Sequence, residues 1–279
     1  MINSTNRTAR AQVWLFIIPC LLITGMFMLF ARFCDTDLEG AGATLFAAAA
    51  CFMPAITAIA ICLIKGIRIS ELAVFPRLRG HVPIYASVIL IAIVLSLTDQ
   101  PLTYVFFPDA VQFQDFDCLV FIMNVLILLS FSLVGMISLL GEEIGWLGYL
   151  FPRLEQLYGT IPAVILMSVV RGVWHLVMYL AIGSDTALIQ FGMLTVTNVL
   201  LNSLFVCAMK KTSSIIPAAL VHSITNILPS VYAAFTITNE ELFAKNYWQI
   251  QLVSLIPTAV IGLACYGILI KRCKNFCLI

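Results

Sequence analysis

Five ionisable side chains lie in or beside strongly apolar stretches of the chain, and their types suit joint chemistry. They are Glu142, Glu143, Arg171, His175 and His222. An ionisable group at membrane depth is costly, by about 2.5–3.5 kcal/mol for an arginine at a helix centre. Such residues usually face the interior of a helix bundle and mark a functional site. Because carboxylates and imidazoles can accept and transfer a proton of water, this set predicts general acid–base chemistry.

Helical spacing adds one more candidate to the set. His222 and Asn226 are four residues apart, so on a helix their side chains lie on the same face. A histidine and a carboxamide can both donate hydrogen bonds, as the oxyanion of a tetrahedral intermediate requires. Glu142 and Glu143 are adjacent, and adjacent helical positions differ in direction by about 100°. We therefore expect one glutamate to face the site and the other to hold a neighbouring helix or a cation.

The elements that must position these residues are membrane helices. Of the 279 residues 62% are hydrophobic and only 10% are charged, whereas a soluble domain carries about 25% charged residues. The apolar residues occur in blocks of about 20, the length of a helix that crosses a bilayer. Such segments must be helical to satisfy their backbone polar groups. We predict an all-α, polytopic membrane bundle of about eight transmembrane helices, at 12–31, 43–64, 82–98, 118–140 (or to 150), 161–182, 187–209, 213–236 and 247–270.

The basic residues indicate how this bundle is oriented. Lys and Arg concentrate in cytoplasmic loops of membrane proteins. With eight helices and the N-terminus inside, one side carries twelve of the fifteen basic residues: Arg7, Arg10, Lys65, Arg68, Arg77, Arg79, Arg153, Lys210, Lys211, Lys271, Arg272 and Lys274. We therefore expect both termini in the cytoplasm and one integral membrane domain over 1–279, with a motif-bearing core at about 118–236. The sequence contains no basic stripe, so no nucleic-acid partner is predicted.

Three short motifs follow one another across the predicted core. The first is Glu142-Glu143 with Leu147 four residues later, the second ends in His175, and the third is His222-Ser-Ile-Thr-Asn226. In order and spacing they resemble the CAAX protease and bacteriocin-processing family, also called CPBP or Abi. That family includes type II CAAX prenyl endopeptidases and shows Glu-Glu-x-x-x-Arg, Phe-x-x-x-His and His-x-x-x-Asn. The resemblance covers about 142–226.

The resemblance implies an intramembrane protease in a prokaryotic plasma membrane. Its members cut peptide bonds of membrane-tethered or C-terminal peptides with a glutamate-activated water and no covalent intermediate. Carried over, Glu142 activates water with His175, while His222 and Asn226 form the oxyanion hole and Glu143 supports them. The implied partners are a peptide or lipidated-protein substrate and membrane lipid.

Two positions depart from the family pattern. Leu147 stands where the motif has arginine, and Arg171 stands where the motif has phenylalanine, one helical turn before His175. We hypothesise that Arg171 supplies from its own helix the cation that Leu147 cannot supply, and that it pairs with Glu143. The alternative is that the site has lost activity and Arg171 belongs to a structural ion pair.

Other functions compete with hydrolysis by water alone. A zinc site with His175, His222 and a glutamate is possible, but the two histidines lie far apart, unlike the compact His-Glu-x-x-His pattern, so no cofactor is expected. A non-catalytic immunity or scaffold protein of the same family is the main alternative. A proton-coupled transporter is less favoured, because the inverted repeats and broken helices typical of transporters are not visible.

Overall fold

The computed structural model describes residues 2–34 and 41–276 of the chain. Helices dominate it, and they are α1 (Ile2–Cys34), α2 (Ala41–Ala50), α3 (Met53–Lys65), α4 (Val82–Phe106), α5 (Cys118–Glu143), α6 (Phe151–Tyr158), α7 (Thr160–Ile182), α8 (Ala187–Thr212), α9 (Ile216–Ile227), α10 (Glu240–Lys245) and α11 (Tyr247–Phe276). A π-helix (Ile144–Leu150) joins α5 to α6, and 3-10 helices cover Ile69–Leu72 and Leu228–Ala234.

The predicted fold class, an all-α polytopic membrane bundle, is confirmed. In the described part of the chain, seven helical segments are long and apolar enough to cross a membrane: Asn6–Cys34, Leu45–Lys65, Val82–Phe106, Cys118–Tyr158, Thr160–Ile182, Ala187–Thr212 and Tyr247–Lys271. The fourth is longer than predicted, because α5, the π-helix and α6 follow one another without a break.

The predicted span 213–236 is not among these seven segments. It consists of α9 and the 3-10 helix Leu228–Ala234, whose second residue is Pro229. Proline has no backbone N–H to donate and disfavours the α conformation in the residue before it. At 1.5 Å per α-helical and 2.0 Å per 3-10 residue, the lengths of the two pieces sum to about 32 Å. Neither piece alone is as long as a bilayer core.

A short two-stranded sheet marks one end of the bundle. Strand β1 (Val111–Phe113) pairs antiparallel with β2 (Thr236–Thr238), and Gln112 lies opposite Ile237. The strands follow α4 and the Leu228–Ala234 helix, so they tie those two elements together. No pattern in the sequence predicted this sheet.

Aromatic side chains pack between α1, the π-helix and α7. Phe16 stacks on Tyr149 with ring centroids 5.2 Å apart and meets Trp146 edge-on at 5.6 Å. Trp146 in turn packs edge-on against Trp174 at 5.8 Å. All four aromatic side chains are fully buried. This cluster anchors the segment after Glu143 to the helix that carries Arg171 and His175.

Candidate active site

The guanidinium group of Arg171 lies at the centre of the predicted site. Its Nη2 is 2.8 Å from Glu142 Oε2, 3.0 Å from Glu143 Oε1 and 3.0 Å from His222 Nδ1. Arg171 is 1% exposed, and the two glutamates are 2% and 0% exposed. Residues of α5, α7 and α9 therefore meet at one buried cation, which agrees with the prediction that the ionisable residues face the interior of the bundle.

Both glutamates contact Arg171, which corrects one expectation and confirms another. The predicted ion pair between Arg171 and Glu143 is present. The expectation that Glu142 and Glu143 face different partners is wrong, because both reach the same Nη2 atom. A glutamate side chain is long enough for its carboxylate to leave the direction set by Cβ. The backbone also changes from α to π geometry at Ile144, directly after the pair, and π-helical turns frequently occur at functional sites.

A close backbone approach positions the end of α5. Most of α5 is exposed and apolar, but Gly141, Glu142 and Glu143 are buried. A Cβ at Gly141 would lie 2.8 Å from the Cys51 carbonyl oxygen, in the turn between α2 and α3. Glycine therefore lets that turn pack against the carboxylate pair, and it brings the Cys51 thiol, which donates to the Ala47 carbonyl oxygen, close to Glu142. Cys51 is a contact of the site that the sequence did not indicate.

His222 is held between the cation and the second glutamate. Its Nδ1 is 3.0 Å from Glu143 Oε1 and 3.0 Å from Arg171 Nη2. The neighbouring Ser223 donates a hydrogen bond of 2.7 Å to the Ser132 carbonyl oxygen, which fixes α9 against α5. In the neutral ring, Nδ1 either donates to Glu143 and leaves Nε2 as an acceptor, or accepts from Arg171 and leaves the Nε2–H group as a donor.

His175 is oriented by its own helix. Its Nδ1 lies 2.9 Å from the carbonyl oxygen of Arg171, one turn earlier. A carbonyl oxygen only accepts, so Nδ1 donates, and in the neutral ring Nε2 is left as an acceptor. The ring packs edge-on against Trp174 with centroids 4.7 Å apart. His175 interacts electrostatically with Glu142, and its hydrogen bond goes to the helix backbone and not to the carboxylate.

Asn226 lies one turn after His222 and lines a cavity together with it. The cavity has a volume of about 230 Å³. Arg171 forms part of its wall, and the remaining lining residues come from α4, α8, α9, α11 and Pro229: Leu95, Ser96, Asp99, Leu194, Thr197, Asn198, Leu201, Phe205, Thr225, Gln251, Ser254, Leu255 and Thr258. Neither Glu142 nor His175 lines this cavity.

The position of the cavity along the bundle differs from the expectation. Glu142 and His222 are each eleven residues from a basic residue, Arg153 and Lys211, and this equal spacing predicts one cavity shared by the site residues and open to the basic side. The lining residues instead belong to the second halves of α4 and α9 and mainly to the first halves of α8 and α11. These are the halves nearest to β1 and β2, away from basic residues such as Arg153 and Lys211. Arg171 therefore lies between the carboxylates and the cavity.

Two further polar residues, which the sequence did not assign to the site, extend it into α8 and α7. Arg171 Nη1 donates to Asn202 Oδ1 at 3.2 Å, and Asn202 Nδ2 donates to Ser168 Oγ at 2.9 Å. Ser168 also donates to the Asn198 carbonyl oxygen at 3.1 Å. Asn202 and Ser168 are fully buried. The signal was the spacing of Asn198 and Asn202 in an apolar helix, which predicts only helix packing when taken alone.

The contact between α7 and α8 beside the site yields a testable prediction. A Cβ at Gly172 would collide with Thr195 Oγ1 and lie 3.3 Å from Phe191 Cε2. We expect Gly172→Ala to destabilise the protein by about 1–3 kcal/mol, as overpacking does, and to displace the adjacent Arg171. The measurement is the midpoint of thermal unfolding in detergent. Gly192→Ala is the control, because nothing lies within 4 Å of a Cβ there. Equal midpoints for the two variants would refute the close packing.

The described ranges, 2–34 and 41–276, contain no group of three or more His, Cys, Asp or Glu side chains arranged to hold a metal ion. Two carboxylates that could serve as ligands, Glu142 and Glu143, instead contact Arg171. The positive charge beside the carboxylates is thus supplied by a side chain of the chain itself.

Comparison with known proteins places these motifs in a family. No curated protein matches the chain. Residues 119–228 match the family described as type II CAAX prenyl endopeptidase Rce1-like. This stretch includes nearly all of α5, the π-helix, α7 and α9, and therefore Glu142, Glu143, Arg171, His175, His222 and Asn226. The recognition of the CAAX protease family from the three motifs is confirmed over residues 119–228, which match the Rce1-like family of type II CAAX prenyl endopeptidases.

Proposed function

We propose that the chain is an intramembrane endopeptidase that hydrolyses peptide bonds of membrane-tethered peptides with a glutamate-activated water. The observation that carries this proposal is the buried cluster in which Arg171 joins Glu142, Glu143 and His222 from three helices. Burial of two carboxylates and a guanidinium is costly unless the group has a function or excellent geometry. The family match over 119–228 supports peptide hydrolysis as that function.

In this proposal Glu142 is the general base. A water hydrogen-bonded to its carboxylate and to Nε2 of His175 loses a proton to Glu142 as its oxygen attacks the carbonyl carbon of the substrate. The same proton then passes to the amide nitrogen when the carbon–nitrogen bond breaks. Two products form, a new carboxyl terminus and a new amine, and no bond forms between enzyme and peptide. The acceptor role of His175 Nε2 follows from the hydrogen bond that Nδ1 donates to the Arg171 backbone.

The oxyanion of the tetrahedral intermediate is stabilised from the cavity side. His222 and Asn226 both line the cavity, one helical turn apart on α9. In the His222 tautomer that carries its proton on Nε2, this N–H group and the carboxamide of Asn226 are the donors to the oxyanion. Fixed donors that face a developing negative charge in a water-poor site are an effective form of catalysis.

Arg171 and Glu143 position these groups and balance their charge. Glu142 and Glu143 together carry two negative charges, and Arg171 compensates one of them through contacts of 2.8 and 3.0 Å. Asn202 holds the other end of the guanidinium. Arg171 therefore has the role proposed for the motif arginine that Leu147 replaces.

We further propose that the protein works in a prokaryotic plasma membrane with both ends in the cytoplasm. The bias of basic residues toward one set of loops supports this orientation. Substrates are peptides or lipidated proteins anchored in the same bilayer. Mass spectrometry of peptides in cells that produce the wild-type chain, compared with cells that produce Glu142→Gln at equal level, tests the proposal. Products present only with the wild-type chain support it, and identical peptide sets with retained biological activity favour a non-catalytic immunity or scaffold role.

Chelation distinguishes a water-only mechanism from a metal-dependent one. We expect the purified protein, dialysed exhaustively against a chelator, to retain its full cleavage rate, because Arg171 provides the charge beside the carboxylates. The measurement is the initial rate before and after dialysis, with a zinc metallopeptidase treated in parallel as the control. Loss of activity that added zinc restores would require a metal site and overturn this mechanism.

A further inference from the structure

The cavity beside His222 contains a carboxylate that the proposed reaction does not use. Asp99 lies in the second half of α4 and lines the cavity. Its Oδ1 is buried and makes no hydrogen bond, and Asp99 forms no ion pair with the residues that the structure describes. The nearby Tyr232 hydroxyl donates to the Leu97 carbonyl oxygen at 2.6 Å. A carboxylate without a cation is therefore left facing a cavity.

Asp99 is held in a defined position relative to the site. One turn before it, Ser96 Oγ contacts the carbonyl oxygens of Ala92 at 2.8 Å and Ile224 at 3.4 Å. Ile224 lies on α9 between His222 and Asn226. The α4 and α9 backbones therefore meet beside the cavity, which fixes Asp99 with respect to the proposed oxyanion donors.

The charges around the cavity favour a cation. Arg171 is the only lysine or arginine among the residues that line it, and both Glu142 and Glu143 already contact Arg171. Asp99 therefore has no lysine or arginine of the lining to itself. In a medium of low dielectric, an uncompensated carboxylate strongly favours a positively charged partner.

A second unpartnered group indicates that the ligand is a peptide. Asn198 is 6% exposed and lines the cavity, and its Nδ2 donates to no partner among the described residues. A buried amide donor without an acceptor costs free energy that a peptide carbonyl oxygen would recover. The cavity is also several times larger than the roughly 30 Å³ that one water molecule occupies in the liquid, so a side chain can enter it.

We propose that this cavity is a substrate subsite that binds a positively charged group of the peptide, with Asp99 as its counter-ion and Asn198 as donor to a peptide carbonyl oxygen. The inference rests on the proposed function and names the chemical class of its substrates. The ammonium or guanidinium group has two possible sources, a lysine or arginine side chain near the cleaved bond, or a free amino terminus. Asp99 is then a specificity-determining residue.

The first test measures the preference during cleavage. The full chain in liposomes is given tethered peptides that differ only in one residue, lysine or methionine, at successive positions on both sides of the cleaved bond, each with a free or an acetylated amino terminus. We expect the best lysine or free-amine peptide to exceed its neutral match roughly ten-fold or more in kcat/KM, as a charge-assisted contact allows. Acetylation abolishes the preference only if the amino terminus is the source.

Variants connect the preference to Asp99. Asparagine is nearly identical to aspartate in shape but carries no charge. Asp99→Asn is therefore expected to bring the ratio of kcat/KM for the basic peptide to kcat/KM for the neutral peptide close to one. Asp99→Lys is expected to favour a glutamate peptide instead. Asp109→Asn is the matched control, since Asp109 is exposed on the same side of the bundle and does not line the cavity. A wild-type ratio of one, or a ratio unchanged in Asp99→Asn, overturns the proposal.

Binding separates this inference from the proposed function. Equilibrium binding of the same lysine and methionine peptides to Glu142→Gln protein in nanodiscs requires no hydrolysis. A lysine preference that depends on Asp99, with no cleavage by the wild-type protein, supports the subsite and refutes the peptidase. Cleavage without any charge preference in either assay supports the peptidase and refutes the subsite.

Discussion

Glu142→Gln is expected to lower the rate of peptide cleavage by a factor on the order of 10²–10⁴, the usual contribution of a general base. Glutamine keeps the shape of the side chain and can still accept a hydrogen bond from Arg171, but it cannot take a proton from water. The measurement is the initial rate of cleavage of a tethered peptide by purified protein in liposomes. His175→Ala is expected to fall in the same range, since the water loses its second acceptor.

A second glutamate provides the control for this experiment. Glu155 lies on α6, is partly exposed and forms an ion pair with Lys210 away from the cluster. We expect Glu155→Gln to retain the wild-type rate within a small factor, which shows that loss of any single carboxylate does not abolish cleavage. Glu142→Gln protein that is folded and cleaves at the wild-type rate would rule out Glu142 as the base.

Arg171→Ala is expected to abolish cleavage and to destabilise the protein. Its removal leaves Glu142 and Glu143 buried next to each other with no cation, and breaking a buried ion pair costs about 3–5 kcal/mol. Adding Leu147→Arg is expected to restore part of the activity, because this position carries the arginine in the family motif and is buried four residues after Glu143. The measurements are the cleavage rate and the thermal midpoint in detergent.

The single and double variants together test whether an arginine at position 147 can replace Arg171 as the cation beside the glutamates. Leu147→Arg alone adds a second buried cation and is expected to be less stable than the wild-type protein. Arg171→Lys is expected to keep only part of the activity, because one ammonium group cannot reproduce the fork that contacts Asn202 and both glutamates. A folded double variant without any recovery relative to Arg171→Ala would count against the exchange.

Much of this site could be predicted from the sequence because lipid makes ionisable residues informative. Glu142, Arg171 and His222 stand out in apolar segments, and the cost of exposing them to lipid predicts that they meet inside a bundle. The pair between Arg171 and Glu143 followed from the two departures from the motif pattern. The long helices could be predicted from the length of the apolar blocks. A segment that crosses lipid must be helical, because its backbone groups can find hydrogen-bond partners only within the segment.

Other features depend on geometry that residue spacing does not encode. The angle between adjacent helical positions did not predict that Glu142 and Glu143 reach one atom, because side-chain flexibility and the π-helix at Ile144 alter their directions. The contact between Asn202 and Arg171 depends on how α7 packs on α8, which requires tertiary structure. The cavity lies between the halves of four helices nearest to β1 and β2, and counting residues along single helices cannot show this.

The most direct test of the central claim is a single-turnover cleavage in H₂¹⁸O, with the quenched enzyme and both products analysed by mass spectrometry. Attack by a water held at Glu142 predicts one ¹⁸O atom in the new carboxyl terminus and no peptide attached to the enzyme at any time point. An acyl–enzyme adduct, or the absence of any product from folded wild-type protein with its tethered substrates, would contradict the account.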